Sequence, residues 1–362
     1  MRRLRNYILS AFAVVLCASG CQWRPLEDPE DTIEIKVAVE IKTVLNVNAS
    51  VYNDLIPAPS IKTDMFRVMF YDPNNGKLVS QAFLSEPTTN KEGKSCLGGS
   101  VKIGVGTYDM LCYNFDTPDT YVSGENAIEN IYAYTNGVSE AIKTRYQSKS
   151  DDNGVVIDED IRYEPDHLLV AREMGLKINA HTGLLIIETE ATTVVDSYYI
   201  QVRIEGAQFA NSASAILSGM APSNHFGLAQ RDTDVPSSVY FELQKSIDKN
   251  IVGGNQDVLC CVFNTFGKIY HDENGKDVKA PVSSDSELVI DFNVIRTDGK
   301  IFEYKKNMND IFNSEDAIER HWLLINDKIV VPDPGPGPTP SGGGGFQPQV
   351  GEWDNVNSDI TL

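Results

Sequence analysis

The sequence predicts an all-β protein built from two β-sandwiches in tandem. Many short segments alternate apolar and polar residues at every second position, turn signals containing glycine separate them, and the second half of the chain repeats this organisation. Alternation with a period of two is typical of a strand that has one face on a core and the other in solvent. About seven such strands in each half, with few helical segments, favour two sandwiches over a sheet covered by helices.

The first half opens with the clearest strand of the chain. Isoleucine or valine occupies every second position from Ile33 to Ile41, and mostly charged residues lie between them. Phe66–Phe70, the turn Pro73–Gly76 and Leu78–Leu84 predict a hairpin, because the Asn-Gly pair inside the turn tolerates positive φ. Further strands of this half are predicted at Val101–Val105, Tyr108–Phe115, Ile131–Tyr134 and His167–Ala171.

The second half repeats the pattern, and Asp298-Gly299 predicts a hairpin between its last two strands. The strands of this half are predicted at Leu184–Glu190, Tyr198–Ile204, Ala215–Ser218, Val239–Leu243, Val258–Phe263, Leu288–Ile295 and Ile301–Tyr304. Two short helices are candidates, Ala127–Tyr134 and Glu315–Trp322, the latter capped by Asn313 or Ser314. Residues 131–134 therefore have two alternative assignments, strand and helix.

The N-terminus carries an export signal. Three arginines precede an apolar run from Tyr7 to Ala18, which is too short to span a bilayer as a helix. Leu16–Cys21 resembles the bacterial lipobox, so we expect cleavage before Cys21 and acylation of that cysteine. Each buried methylene of an acyl chain adds about 0.8 kcal/mol of membrane binding. The alternative is an ordinary secretory signal followed by an incidental cysteine.

Charge and cysteine content restrict the partners and the compartment. The chain has 51 acidic and 31 basic residues, a formal charge of −20, and export would remove three of the arginines. Such a surface repels nucleic acid and anionic lipid headgroups, so the membrane is reached through the lipid alone. In an oxidising compartment Cys96 and Cys112 are a candidate disulfide. Cys260 and Cys261, adjacent in an apolar strand where side chains alternate faces, are expected to be one buried and one half-buried thiol instead of a vicinal disulfide.

The composition changes sharply at residue 332. Alternating prolines and a run of four glycines, residues 332–345, predict a flexible spacer with a reach of roughly 40 Å. The tail that follows is apolar at Val350, Trp353, Val356 and Ile360, which are predicted to contact a partner by adding a strand to a sheet edge. The alternative is that the tail covers this molecule's own surface. The predicted organisation is a signal peptide at 1–20, a lipidated tether at 21–31, sandwiches at 32–178 and 179–331, the spacer at 332–345 and the tail at 346–362.

No arrangement of residues typical of catalysis is apparent. The five histidines occur singly, and Ser218-Gly219 lacks the preceding glycine of a nucleophile elbow. No glycine-rich loop precedes a lysine as in a phosphate-binding loop. The acidic segments 151–154 and 272–275 lack the alternating acids and distal glutamate of a calcium loop, so they are interpreted as turns. The sequence therefore predicts a protein that is not an enzyme and that needs no metal or cofactor.

Three segments carry a family resemblance. Together with the lipobox, Gly104–Asn114, Ala215–Met220 and Glu164–Leu169 resemble the fimbrillin-type lipoproteins of Bacteroidales. The resemblance implies two transthyretin-like, Greek-key sandwiches and residence on the cell surface at the outer membrane. It also implies a role in fimbrial anchoring, fimbrial assembly or adhesion, with other fimbrial subunits or surface proteins as partners.

The sequence departs from the polymerising members of that family. Those subunits are matured by cleavage after an arginine, and here Arg24 is the only arginine between Cys21 and the first strand. A subunit that keeps its lipid stays at the membrane, which favours an anchoring or accessory role. The alternative function is a glycan-binding outer-membrane lipoprotein of a polysaccharide-uptake system. The three tryptophans of this chain, Trp23, Trp322 and Trp353, are widely separated in the sequence, which argues against an aromatic platform for sugar binding.

Overall fold

The computed structural model describes residues 32–42, 47–51, 56–59, 61, 63–147, 160–180, 184–248, 255–269 and 288–335. The strands of the first half are β1 Thr32–Ile41, β2 Phe66–Tyr71, β3 Leu78–Leu84, β4 Glu86–Thr89, β5 Ser95–Gly104, β6 Gly106–Asn114, β7 Thr120–Ser123, β8 Tyr132–Thr135, β9 Asp160–Tyr163 and β10 Leu169–Ile178. Those of the second half are β11 Leu185–Thr193, β12 Asp196–Glu205, β13 Ala210–Met220, β14 Ser223–His225, β15 Gln230–Arg231, β16 Ser237–Asp248, β17 Gln256–Thr265, β18 Val289–Arg296, β19 Ile301–Asn307 and β20 Trp322–Val330.

Helices make up little of the described chain. They are α1 Glu140–Gln147, α2 Asn309–Phe312 and α3 Glu315–Arg320. None of the helices in the described part of the chain has the length and apolarity needed to cross a bilayer. The prediction of an all-β protein is therefore confirmed, with sheets that curve into sandwich-like or barrel-like layers.

The first large sheet has the strand order β3-β2-β6-β10-β11-β1-β5-β4. The chain passes from β3 to β4 through Ser85 alone, although these are the two outermost strands of the sheet. The sheet therefore curls around its core. Strand β1 lies inside the sheet, parallel to β11 and antiparallel to β5. Its residues Ile35, Val37 and Val39 are buried in that core, as their spacing predicts. The first strand is thus held on both edges.

The second large sheet has the order β19-β18-β13-β16-β17-β12-β20, and β9 pairs with β16 beside this path. Its core is formed by alternate residues of these strands together with α2 and α3. Strand β20, which follows α3, runs parallel to β12 at one end of the sheet. Strand β9 comes from the first half of the chain, so the two halves share this sheet.

A small third sheet, in the order β15-β14-β8-β7, joins the two halves. Strands β7 and β8 come from the first half and β14 and β15 from the second. Its inner face packs on a junction core between the large sheets. That core includes Leu111, Tyr113, Ile131, Ala133, Val170, Phe226 and Phe266. The two halves are therefore bound to each other by apolar burial as well as by strand pairing.

The boundary between the large sheets differs from the predicted domain boundary at residues 178/179. Strand β11 pairs with both β10 and β1, so it belongs to the first sheet, and the second begins at Asp196. The period-two pattern of β11 is the same in either sheet, so the sequence could not assign it. The division into two independently folding domains stays a prediction.

Two local predictions are confirmed and one is wrong. Gly76 and Gly299 have φ of 67° and 84° in the two predicted hairpin turns. The Ser314 side chain accepts a hydrogen bond from Ala317 N at the start of α3, as its position predicts. Residues 127–134 do not form a helix. A short 3-10 turn there leads into β8, and the helix of this region, α1, was not predicted.

The candidate disulfide is not present. Cys96 and Cys112 are both buried free thiols. Cys96 lies opposite Glu40 in the sheet register, whereas Cys112 lies opposite Val68 inside the first core. Burial raises the pKa of both thiols, which keeps them protonated. Cys260 and Cys261 are free thiols as expected, but both are buried, whereas one was expected to be half-buried.

Candidate interaction surfaces

The predicted site residues lie largely outside the described residues. Cys21 and the tail residues Val350, Trp353, Val356 and Ile360 are among these, as are the acidic segments 151–154 and 272–275. The start of the spacer is described. Arg296 donates a hydrogen bond from Nη1 to the carbonyl of Pro332 at 3.0 Å, and Val331 N donates to Glu205 O at 2.9 Å. The chain therefore leaves the second sheet from a fixed point just after β20.

The two end strands of the second sheet form the first candidate surface. Among the described strands, β19 pairs only with β18 and β20 pairs only with β12. Both therefore present an edge of backbone N–H and C=O groups with no partner strand in the described part of the chain. An exposed edge of this kind is a template for an added strand.

Side chains connect β19 to β20 without a backbone ladder. Tyr304 donates from its hydroxyl to Asp327 Oδ2 at 2.5 Å, and the Lys306 ammonium lies 2.5 Å from the same oxygen. These hydrogen bonds lower the pKa of the Asp327 carboxyl. Tyr304 and Phe302 also pack against the second core. The two edges are thus close neighbours bridged by a carboxylate, and we call them the paired edges.

An exposed aromatic patch on the first sheet forms the second candidate surface. Phe83 on β3 and Phe115 just after β6 are 52% and 46% exposed, with ring centroids 5.3 Å apart. The Arg67 guanidinium lies 5.7 Å and 5.4 Å from these two centroids. Glu125 and Gln81 hold Arg67 in place at 2.7 Å each. Aromatic rings and a preorganised arginine are typical of energetic centres in protein interfaces.

The sequence analysis did not identify this aromatic patch, although a signal was available. The outward positions of β3 carry two apolar residues, Phe83 and Val79, with only Gln81 between them, although alternation favours polar residues there. The approach of Phe115 and Arg67 to Phe83 depends on the pairing of β2 with β3 and with β6. No spacing within the sequence reports that pairing.

A cavity at one end of the first sheet is lined by four glutamates, each of which is paired with a lysine. Glu40, Glu92, Glu188 and Glu190 contribute to its wall together with Cys96. Each of these four carboxylates forms an ion pair, with Lys94, Lys91 or Lys42, at 3.0 to 3.6 Å. Within the described ranges, no group of three or more histidine, cysteine, aspartate or glutamate side chains is arranged to hold a metal ion.

A half-buried carboxylate joins the segment between β9 and β10 to strand β17 of the second sheet. Glu164, between β9 and β10, accepts a hydrogen bond from Asn264 N of β17 at 3.0 Å. The Asn264 amide donates to the carbonyl of Pro165 at 3.0 Å. Burial raises the pKa of Glu164 to about 7, and the Asp166 charge acts in the same direction, whereas the Asn264 N–H opposes it. Near neutral pH the Glu164 carboxyl is therefore close to its titration midpoint.

Comparisons with known proteins agree with this fold. A family model described as "Domain of unknown function (DUF5119)" matches residues 42–242, which span both halves of the chain. The "Putative fimbrium anchoring subunit Fim4B" of Bacteroides ovatus is 24% identical over 253 residues, 69% of this chain, and the match covers 64% of that relative's length. The crystal structure of a "putative adhesin" from the same species has 20% identity and a TM-score of 0.53, covering 87% of this chain and 98% of that one.

Proposed function

The chain belongs to the DUF5119 family, and from this premise we propose that it is a non-enzymatic lipoprotein that anchors or caps a fimbrial assembly at the outer membrane. The paired edges of β19 and β20 carry this proposal. They offer strand-addition sites at the point where the spacer leaves the second sheet. The name of the Bacteroides ovatus relative, a fimbrium anchoring subunit, supports the same role.

The membrane end of the molecule is assigned to Cys21. In the proposal this cysteine carries the acyl chains, and residues 22–31 connect it to β1. Strand β1 suits the attachment of a tether because it is paired on both edges and its apolar side chains are buried in the first core. Force applied at the lipid would have to shear two ladders before this strand could leave the sheet. The finer assignment of two transthyretin-like sandwiches belongs to the same proposal.

The partner end of the molecule is assigned to the second sheet and the tail. The spacer of residues 332–345 reaches roughly 40 Å, so residues 346–362 can extend to a neighbouring fimbrial subunit. The partner in turn can add a strand at β19 or β20, where main-chain hydrogen bonds give affinity and alternate side chains give specificity. The aromatic patch around Arg67 offers a further protein contact on the first sheet.

Co-purification tests the partner end. We expect deletion of residues 346–362 from the full chain to abolish recovery of fimbrial subunits and to leave the melting temperature unchanged. A matched variant that keeps the length but replaces Val350, Trp353, Val356 and Ile360 with serine should lose the same partners. Recovery of the partners with either variant would show that the tail is not the contact.

Mass spectrometry tests the membrane end. The purified protein should begin at Cys21 and carry fatty acid there, and Cys21→Ser should release the protein from the membrane fraction. An unacylated mature N-terminus, or an intact precursor in the cytosol, would contradict the assignment of Cys21.

A further inference from the structure

The outward face of the third sheet carries a continuous series of four aromatic rings. Tyr121 and Tyr134 have centroids 5.8 Å apart, Tyr134 and Tyr132 are 5.5 Å apart, and Tyr132 and His225 are 5.4 Å apart. Successive rings are tilted by only 31° to 36°. We call these four residues the tyrosine ladder. It is separate from the aromatic patch on the first sheet and from the paired edges.

Strand register explains how the tyrosine ladder forms. Tyr121 of β7 lies directly opposite Tyr134 of β8, and Tyr132 lies two residues earlier on the same face of β8. The pairing of β8 with β14 then brings His225 beside Tyr132. The rings therefore run diagonally over three strands. The opposite face of this sheet packs on the junction core through Val122 and Ala133, so the strands beneath the rings are held in place.

Small and polar residues surround the tyrosine ladder. Ser223 lies opposite Tyr134 and Ser123 lies opposite Tyr132, so serine, not a bulky side chain, flanks each of these rings. Tyr121 is 41% exposed, and the other three rings are half-buried. Within the described part of the chain, no residue hydrogen-bonds to the hydroxyls of the three tyrosines. The rings thus combine apolar surface with unused donors and acceptors.

The negative charge around the tyrosine ladder restricts the class of ligand that can bind there. Asp232 accepts a hydrogen bond from the Ser223 hydroxyl at 3.1 Å, so a carboxylate lies beside the rings. The whole chain has a formal charge of −20. Nucleic acid also stacks on rows of aromatic residues, but it requires a positively charged groove. A strongly anionic polymer is therefore disfavoured at this face.

We propose that the tyrosine ladder binds a neutral saccharide chain. Nearly equal ring spacings suit a polymer of repeating units, and the C–H faces of sugar rings can stack on the phenol rings. Sugar hydroxyls can pair with the tyrosine hydroxyls and with Ser123 and Gln230 at the margins. A protein partner is favoured less here than at the aromatic patch, because the ladder has no preorganised arginine. The proposal goes beyond the fimbrial role and does not depend on it.

Affinity electrophoresis of the full chain in mild detergent tests the proposal. The native gels contain mannan, mixed-linkage β-glucan, galactomannan or, as the anionic probe, heparin. We expect at least one neutral polysaccharide to retard the protein. Tyr121→Ala and Tyr132→Leu, the second of which preserves side-chain bulk, should each weaken this retardation about fivefold, since a stacked aromatic contact contributes about 1 kcal/mol. Phe83→Ala, which removes an exposed ring from the aromatic patch, is the matched control and should leave it unchanged.

Several results would overturn the proposal. These are no retardation by any of the neutral polymers, retardation by heparin alone, or equal retardation of the wild type and both ladder variants when melting temperatures show that all are folded. Binding of a labelled peptide of residues 332–345 at the ladder, without binding of polysaccharide, would assign the surface to a proline-rich protein segment instead. The fimbrial proposal is tested by co-purification of partners and the saccharide proposal by affinity electrophoresis, so either proposal can fail without the other.

Discussion

The Glu164 carboxyl should make the free energy of unfolding decrease as the pH rises, whereas paired surface carboxylates act in the opposite direction. Its pKa is raised from 4.5 to about 7 in the folded protein, so the folded state holds the proton more tightly than the unfolded state. The contribution of Glu164 to the free energy of unfolding is therefore most favourable below pH 4.5, and it declines as the pH rises from about 4.5 to about 7. Since one pKa unit corresponds to about 1.4 kcal/mol, this group costs up to about 3 kcal/mol above pH 7, less what solvent screens at a half-buried residue.

Replacing Glu164 with glutamine isolates this effect. The amide keeps an oxygen that can accept the Asn264 N–H, and it cannot ionise. We expect the Glu164→Gln variant and the wild type to have similar free energies of unfolding at pH 4.5. The variant should become more stable than the wild type by about 1 to 3 kcal/mol at pH 7.5. Urea unfolding followed by circular dichroism at several pH values between these limits measures the difference.

A matched substitution controls for removal of a negative charge from an acidic protein. Glu319 is an exposed glutamate of α3, and Glu319→Gln should change the free energy of unfolding by no more than about 0.5 kcal/mol at any pH in this range. The reasoning about Glu164 is refuted if Glu164→Gln and the wild type differ by the same amount at pH 4.5 and at pH 7.5. It is also refuted if the wild type gains stability relative to that variant as the pH rises.

Two further substitutions test the packing that holds the candidate surfaces in place. A Cβ on Gly124, whose φ is +77°, would lie 1.9 Å from Asn130 O. Gly124→Ala should therefore lower the melting temperature much more than the control Gly299→Ala, where φ is also positive but the space around the Cβ is open. Equal decreases in melting temperature for the two variants would contradict this prediction. Ile35→Ala in β1 should lower the free energy of unfolding, measured in urea, by about 2 to 5 kcal/mol. The control Val79→Ala should lower it by no more than about 0.5 kcal/mol, because Val79 is exposed. A decrease below about 1 kcal/mol for Ile35→Ala would contradict the buried position of β1.

The sequence alone determined most strands and both predicted hairpins, because each of these signals is local. Alternation from Ile33 to Ile41 reports which residues of β1 face a core, since neighbouring side chains in a strand point to opposite faces. Gly76 and Gly299 permit the positive φ that their turns require. The cap at Ser314 depends on a residue only three positions away. The resemblance to fimbrial proteins drawn from short motifs is likewise confirmed by the family and fold comparisons.

Strand partners were decided only by the tertiary structure. The sequence did not reveal that β11 pairs with β1, that β9 joins the second sheet, or that a third sheet bridges the two halves. These pairings join residues far apart in the chain, and a period-two pattern is equally compatible with any neighbour. The incorrect helix at residues 127–134 has a related cause. Tyr132 and Tyr134 lie on the outward face of β8, so apolar residues there do not mark a core.

The candidate surfaces show the same division between local pattern and tertiary structure. Tyr132 and Tyr134 were visible in the sequence as residues of a predicted strand, whereas Tyr121 lay in none, and the scarcity of tryptophan argued against an aromatic platform. Only the pairing of β7, β8 and β14 brings Tyr121, Tyr134, Tyr132 and His225 within stacking distance. Side-chain alternation is determined within one strand, whereas a surface is assembled across several strands, and the free energy that selects their order comes from burial of residues distant in sequence.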